Sequence, residues 1–158
     1  MDCKLISIDS STTASGYAIY INGVLNYYGV YTTDHISNSK ERLENMMKAI
    51  CRRIEVDKPD IVVTELTVVN RNAEAQRNLS MLLGAIYYKC LELGIEYYAL
   101  RPTEWRKLVK DKEESIPRKR EELKEWSKAK VKDIYKINIE DDNISDAILL
   151  GQGYINKF

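Results

Sequence analysis

LISIDSSTTASGYAIYINGVLNYYGVYTT, residues 5–33, is the stretch whose reading decides the fold. Its first run, KLISID (4–9), is apolar, short and of strand type, and it ends in a single carboxylate, Asp9. Two β-branched, Tyr-rich runs follow, with Asn22-Gly23 between them. Asn-Gly between two such runs is the strongest short-range hairpin signal. The first three strands therefore form an antiparallel meander. Between Asp9 and Gly16 lie six small or hydroxyl residues. Either something approaches the carboxylate closely there, or the segment is only a tight turn.

Outward from this meander the periodicity changes. Leu43, Met46, Met47, Ile50 and Ile54 recur at helical spacing, which predicts a helix over 37–57 with Ser39 as its N-cap. IVVTE (61–65) is a continuous apolar run ending in Glu65, the pattern of a buried strand. A second helix is expected over 73–93, closed by Gly94. A fifth strand follows over 95–100, then a short helix opened by Pro102 and running through Lys110. A charged linker (112–117), a long basic helix (118–135) and a final apolar helix (145–156) complete the chain. The predicted class is α/β: a mixed five-stranded sheet, three antiparallel strands and then two parallel ones, with helices on both faces. No repeat or domain boundary interrupts the pattern, so residues 1–158 are expected to form one domain.

Composition narrows the function classes. No run of 18 apolar residues exists, and MDCKLIS lacks the layout of a signal peptide, so a cytoplasmic protein without membrane partners is expected. Cys3, Cys51 and Cys90 form no CxxC pair; they are expected to be core thiols rather than disulfide or zinc ligands. The net charge of zero taken alone argues against nucleic-acid binding. Its distribution argues the other way. Residues 101–132 hold twelve Lys/Arg against seven Asp/Glu, whereas 133–158 hold two against five. A Lys/Glu-rich run is commonly a solvated helix face. A basic segment beside an acidic cluster is also what a metal-dependent nuclease needs, cations for the carboxylates and basic surface for phosphates.

Three acids stand at element ends: Asp9 after strand 1, Glu65 after strand 4, and Asp146 at the start of the last helix. If strands 1 and 4 are parallel neighbours, their C-terminal ends lie side by side, where ligand sites of open α/β sheets gather. Like charges brought that close repel unless a cation neutralises them. Magnesium is a hard ion that takes oxygen ligands and phosphate. Two such ions about 4 Å apart activate a water and stabilise the leaving oxygen of a phosphodiester.

These residues resemble the RuvC family of Holliday junction resolvases, in the ribonuclease H-like superfamily. ISIDSSTTASGYAI is similar to the family's first block, a strand, the catalytic Asp, a small-residue turn and a Gly-Tyr that opens strand 2. IVVTELTVVNRNAEAQRNLSMLLGAI is similar to the second, with the catalytic Glu, the Asn72-Ala73 pair, Leu79 and Gly84. ALRPTEWRKLV and NISDAILLG are similar to the third and fourth. The resemblance implies a homodimer that cuts symmetric strands of a four-way junction by metal-assisted hydrolysis in recombination and repair. The metal is Mg2+ or Mn2+, with two ions per site. It implies Asp9, Glu65 and Asp146 as catalytic metal ligands.

Two departures stand out. The family has Asp or His three residues before the last acid; here that residue is Asn143, with Asp142 adjacent, and either is a candidate fourth ligand. The family often carries an aromatic wedge just beyond the Glu; here the stretch is LTVVNR, leaving Val68 or Val69 for that role. The short, Lys/Tyr-rich chain looks closer to phage-borne members, which act on branched DNA broadly, in a bacterial or phage-infected cell. Candidate DNA contacts are Ser10, Ser11 and Thr12 of the turn, and Arg106, Lys107, Lys119 and Lys128 of the basic segment. Trp105 and Trp126 are expected to pack in the core or a dimer, and His35 to be a plain loop residue. An actin- or sugar-kinase-like fold shares the IDSSTTASG pattern, but it needs a second lobe and an adenosine loop that this chain lacks. A non-catalytic junction binder with a decayed site is the other alternative.

Overall fold

The computed structural model describes residues 1–66 and 72–158; Val68 and Val69 lie outside the described residues. Three strands, β1 (Lys4–Asp9), β2 (Ala14–Ile21) and β3 (Val24–Thr32), form the expected meander. Asn22 and Gly23 both have positive φ, 52° and 78°, as a two-residue hairpin turn of the primed kind requires. Helix α1 (Ser39–Asp57), strand β4 (Ile61–Glu65), helix α2 (Ala73–Leu93) and strand β5 (Glu96–Leu100) follow. The sheet order is β3-β2-β1-β4-β5, with β1, β4 and β5 mutually parallel. Helices α3 (Pro102–Val109), α4 (Arg120–Tyr135) and α5 (Asp142–Lys157) complete the chain. The predicted mixed five-stranded sheet is therefore the observed one.

Period-two alternation along the strands sorts the core into two layers. Ile6, Ile8, Tyr17, Ile19 and Val62 face α1 and α2, packing on Leu43, Met46, Ile50, Ile54, Leu82 and Ile86. Leu5, Ala18, Tyr20, Val63 and Leu100 face the other way, onto Trp105, Val109, Trp126, Val131 and Ile148. Two leucines of α2 thus cover the sheet: Leu82 is fully buried, and Leu79 packs against the same layer. Both Trp105 and Trp126 are core residues, as expected.

Polar anchors fix α5 across the sheet. Ser7 Oγ donates to the carbonyl of Ala147 at 2.6 Å, and the Tyr20 hydroxyl to that of Ile148 at 2.5 Å. Gly16 allows the start of α5 to lie directly on β2: a Cβ there would sit 2.0 Å from the Asn143 carbonyl oxygen.

Several sequence expectations need correction. The N-cap of α1 is Asn38 rather than Ser39; its side chain accepts from Glu41 N at 2.9 Å. The Ser39 hydroxyl instead reaches Glu74. The long helix begins at Arg120, with Lys119 as its cap residue. The last helix begins at Asp142, three residues early, because Asp141 caps it by accepting from Asn143 N and Ile144 N. Cys3 is exposed, so only Cys90 is a fully buried thiol and Cys51 is half-buried. Cys3 lies ahead of the first residue of β1, where the chain has not yet entered the sheet. Among the described residues, no helix is long and apolar enough to cross a membrane.

Candidate active site

Strand parity aims two of the acids. Asp9 continues the Leu5–Ser7 side of β1, and Glu65 continues the Ile61–Val63 side of β4; both sides face α5. Ile8 pairs with Thr64 in the parallel ladder, so Asp9 and Glu65 leave neighbouring strand ends together. Gly16 is the antiparallel partner of Asp9 and supports the first turn of α5. That turn carries Asp142 and Asn143, and Asp146 follows one turn later on the same face.

A cavity of about 430 Å³ opens there, lined by Asp9, Asp142, Asn143 and Asp146. Ser11 and Thr13 of the small-residue turn border it, as do Arg106, Arg120 and Lys124. Residues more than a hundred positions apart thus meet at one sheet edge. Glu65 stands beside them with one oxygen engaged: the Trp105 indole N–H donates to its Oε2 at 2.8 Å.

The electrostatics are those of carboxylates in want of a counter-charge. Burial, and then the charges of Asp146, Glu65 and Asp142, push the Asp9 carboxyl well above its usual range; Arg106 opposes this. Burial also raises Glu65, against the Trp105 hydrogen bond and Arg106. Asp146 is pushed up to about 6, chiefly by burial, although a hydrogen bond from Ser127 pulls it down. Its Oδ1 is buried with no hydrogen-bond partner among the described residues. An orphaned buried carboxylate oxygen is costly, and a cation would satisfy it. The donor set consists wholly of hard oxygens, which suits magnesium or manganese. As the side chains stand, no group of three His, Cys, Asp or Glu among the described residues is arranged to hold an ion. Asp142 leans instead toward Lys124 at 3.8 Å.

A pH dependence follows. Asp146 titrates near 3.8 when unfolded and near 6 when folded, so between those values the native state holds the extra proton. Its contribution is present at low pH and is lost as pH rises through about 6, a difference on the order of 2–3 kcal/mol. In EDTA, Asp146→Asn is therefore expected to melt above wild type at pH 7.5, with the gap narrowing toward pH 4.5. Comparing the two proteins cancels the titrations of groups remote from this cluster. A gap independent of pH would contradict the assignment.

The other candidates scatter. Within the turn, Ser11 and Ser15 bond each other: Ser11 N donates to Ser15 Oγ, and Ser15 Oγ to Ser11 O. Ser10 Oγ is buried without a partner among the described residues, and Thr12 gives its carbonyl to the Thr33 hydroxyl. Of the predicted basic residues, only Arg106 borders the cavity. Lys107 and Lys119 are exposed elsewhere, and Lys128 pairs with Glu125 at 3.3 Å. Lys130 is buried, gripping Asp111 and Glu114 of the linker. His35 is an exposed loop residue beside Asp34. Arg120 and Lys124 were missed. Trp126 and Val131 mark the inward stripe of α4, and positions 120 and 124 flank the cavity-lining Leu123 at its beginning, a placement that charge count alone does not give.

No protein-family model and no curated protein matches the sequence. Structural comparison does find relatives. One is RuvC of Thermus thermophilus in complex with a Holliday junction substrate, with TM-score 0.74, 19% identity, and coverage of 98% of this chain and 93% of that one. The fowlpox virus resolvase, in complex with substrate Holliday junction DNA, gives TM-score 0.65 and 17% identity over 99% and 98% of the two chains. The yeast mitochondrial Holliday junction resolvase gives TM-score 0.59 and 12% identity over 98% and 78%. The chain has the ribonuclease H-like fold of RuvC-type resolvases.

Proposed function

We propose that this chain, with its RuvC-type fold, is a divalent-metal-dependent endonuclease that resolves four-way DNA junctions and cuts other branched DNA. It would serve recombination, repair or phage DNA processing. The observation that carries this reading is the meeting of Asp9, Asp142 and Asp146 in one cavity that Arg106, Arg120 and Lys124 also line. Two of the resolvases with this fold, from Thermus thermophilus and fowlpox virus, are seen with junction DNA, which supports the substrate class.

In this reading Asp9 and Asp146 hold the metal, with Glu65 and either Asp142 or Asn143 completing the set. Magnesium or manganese, as two ions, supplies a lowered water pKa and charge neutralisation at the phosphate. The chain's own residues do the rest. Arg106, Arg120 and Lys124 draw the DNA backbone to the carboxylate edge. Lys124 leaves Asp142 for a phosphate oxygen, freeing that carboxylate. The small side chains at Ser11 and Thr13 border the cavity and leave clearance for a DNA backbone.

The reading is tested by incubating the protein with a labelled four-way junction, a fork and a linear duplex, in magnesium and in EDTA. Cleavage of the branched substrates in magnesium alone is expected. Tight junction binding with no cleavage in magnesium or manganese would instead make the chain a non-catalytic junction binder.

The working unit is a homodimer, with two sites for two strands. Supporting this, the outer face of α2 exposes Met81, Tyr88 and Leu91 at heptad spacing, Leu91 being 70% exposed. A second copy with the same stripe would bury both faces isologously. Leu91→Lys is expected to convert the dimer to a monomer in light scattering at micromolar concentration and to replace paired incisions by single nicks. A wild-type protein that is monomeric under those conditions would contradict the dimer.

A further inference from the structure

Trp105 does more than fill the core. Strand β5 runs parallel to β4 in a register that pairs Leu100 with Glu65, and Leu66 N donates to the Leu100 carbonyl at 2.8 Å. The chain turns immediately into α3 at Pro102. The first turn of α3 therefore stands over the end of β4, and position 105 points its ring into the layer beneath α5. There it is fully buried. Gly153 of α5 closes on it: a Cβ at 153 would lie 3.0 Å from the Trp105 Cβ and 3.2 Å from its carbonyl oxygen. The ring is fully buried, and its N–H meets Glu65 Oε2 at 2.8 Å.

A buried indole can donate only through this one N–H, so the contact satisfies Trp105 as well as Glu65. It also divides the carboxylate's labour. One oxygen is committed to the indole, and the other is left for a different partner. Asp146 likewise presents one buried oxygen, Oδ1, that has no partner among the described residues. A flexible glutamate at a strand end would otherwise sample several rotamers, and each would have to be given up on binding. Donors of this kind around a metal site orient its ligands and commonly change affinity 10–100-fold.

We infer that Trp105 is the positioning residue of Glu65, its indole N–H fixing one carboxylate oxygen so that the other is presented to a divalent cation. The inference rests on the reading of Glu65 as a metal ligand. Phenylalanine at 105 keeps the ring in the core and removes the donor.

The test is calorimetric Mn2+ binding to the full chain, without DNA, for wild type, Trp105→Phe, Glu65→Gln and the double variant. Trp105→Phe is expected to weaken Mn2+ affinity about tenfold. In the Glu65→Gln background the same change should have little further effect, because the two residues act as a pair. Equal Mn2+ affinity in wild type and Trp105→Phe would overturn the inference while leaving the metal site intact. An equal loss in both backgrounds would make Trp105 a packing residue only, and would also overturn it. A wild type that binds no Mn2+ would defeat the underlying reading itself. If Trp105→Phe does not fold, a benzothiophene analogue of tryptophan at 105 keeps the shape, lacks the donor, and is read by the same criteria.

Discussion

Asp9→Asn should abolish junction cleavage, lowering the rate by about a thousandfold or more, while junction affinity is held or rises. The size follows from where Asp9 sits. It is the one carboxyl whose shift draws on the charges of Asp146, Glu65 and Asp142 together, which makes it the hub of the cluster. The amide preserves volume and removes the charge that a shared cation needs. Loss of about 4 kcal/mol of transition-state stabilisation corresponds to that factor. Binding moves the other way because the phosphate approaches one negative charge fewer, with Arg106, Arg120 and Lys124 unchanged. The check is single-turnover cleavage beside a gel-shift titration in EDTA. Residual cleavage within tenfold of wild type would remove Asp9 from the chemistry.

Gly16→Ala is expected to be the most damaging small substitution for stability. The added Cβ would fall 2.0 Å from the Asn143 carbonyl oxygen, 2.3 Å from its carbon and 2.9 Å from Ile144 N. These are backbone atoms of the first turn of α5, so no rotamer change relieves the clash. Either β2 bends or α5 lifts from the sheet, against the Ser7 and Tyr20 anchors. A cost of about 3 kcal/mol is the expected order, lowering the melting temperature by roughly 10 °C. Because Asp142, Asn143 and Asp146 ride on the displaced helix, Mn2+ affinity should fall as well. Thermal melting and calorimetry on the same variant check both halves. A protein that melts within 2 °C of wild type would show that the start of α5 is not packed on Gly16.

The meander and the mixed five-stranded sheet were legible because their signals are local: Asn22-Gly23 for the hairpin, and apolar runs ending in acids for β1 and β4. The meeting of Asp9 with Glu65 was also within reach, since Leu5–Ser7–Asp9 and Ile61–Val63–Glu65 share one parity on parallel neighbours. The EDDN segment was not legible. Its first Asp, Asp141, serves as the cap, and this carries Asp142 and Asn143 into the first turn and both into the cavity. Which of two consecutive acids caps a helix depends on how the helix meets the sheet, and here Gly16 sets that. The basic wall was misassigned for a related reason. Charge count nominated Lys119 and Lys128, but the packing of Trp126 and Val131 turns Arg120 and Lys124 toward the acids. The indole of Trp105 reaching Glu65 left no mark in the sequence, because it depends on the register of β4 with β5.

The most direct measurement is strand-by-strand mapping of the products from a four-way junction, each strand labelled in turn, with wild type and Asp9→Asn in magnesium. The account predicts paired incisions in two opposing strands by wild type, none by Asp9→Asn, and none by either protein in EDTA. Incisions that persist in EDTA or with Asp9→Asn, or a junction that wild type binds and leaves intact in magnesium, would contradict it.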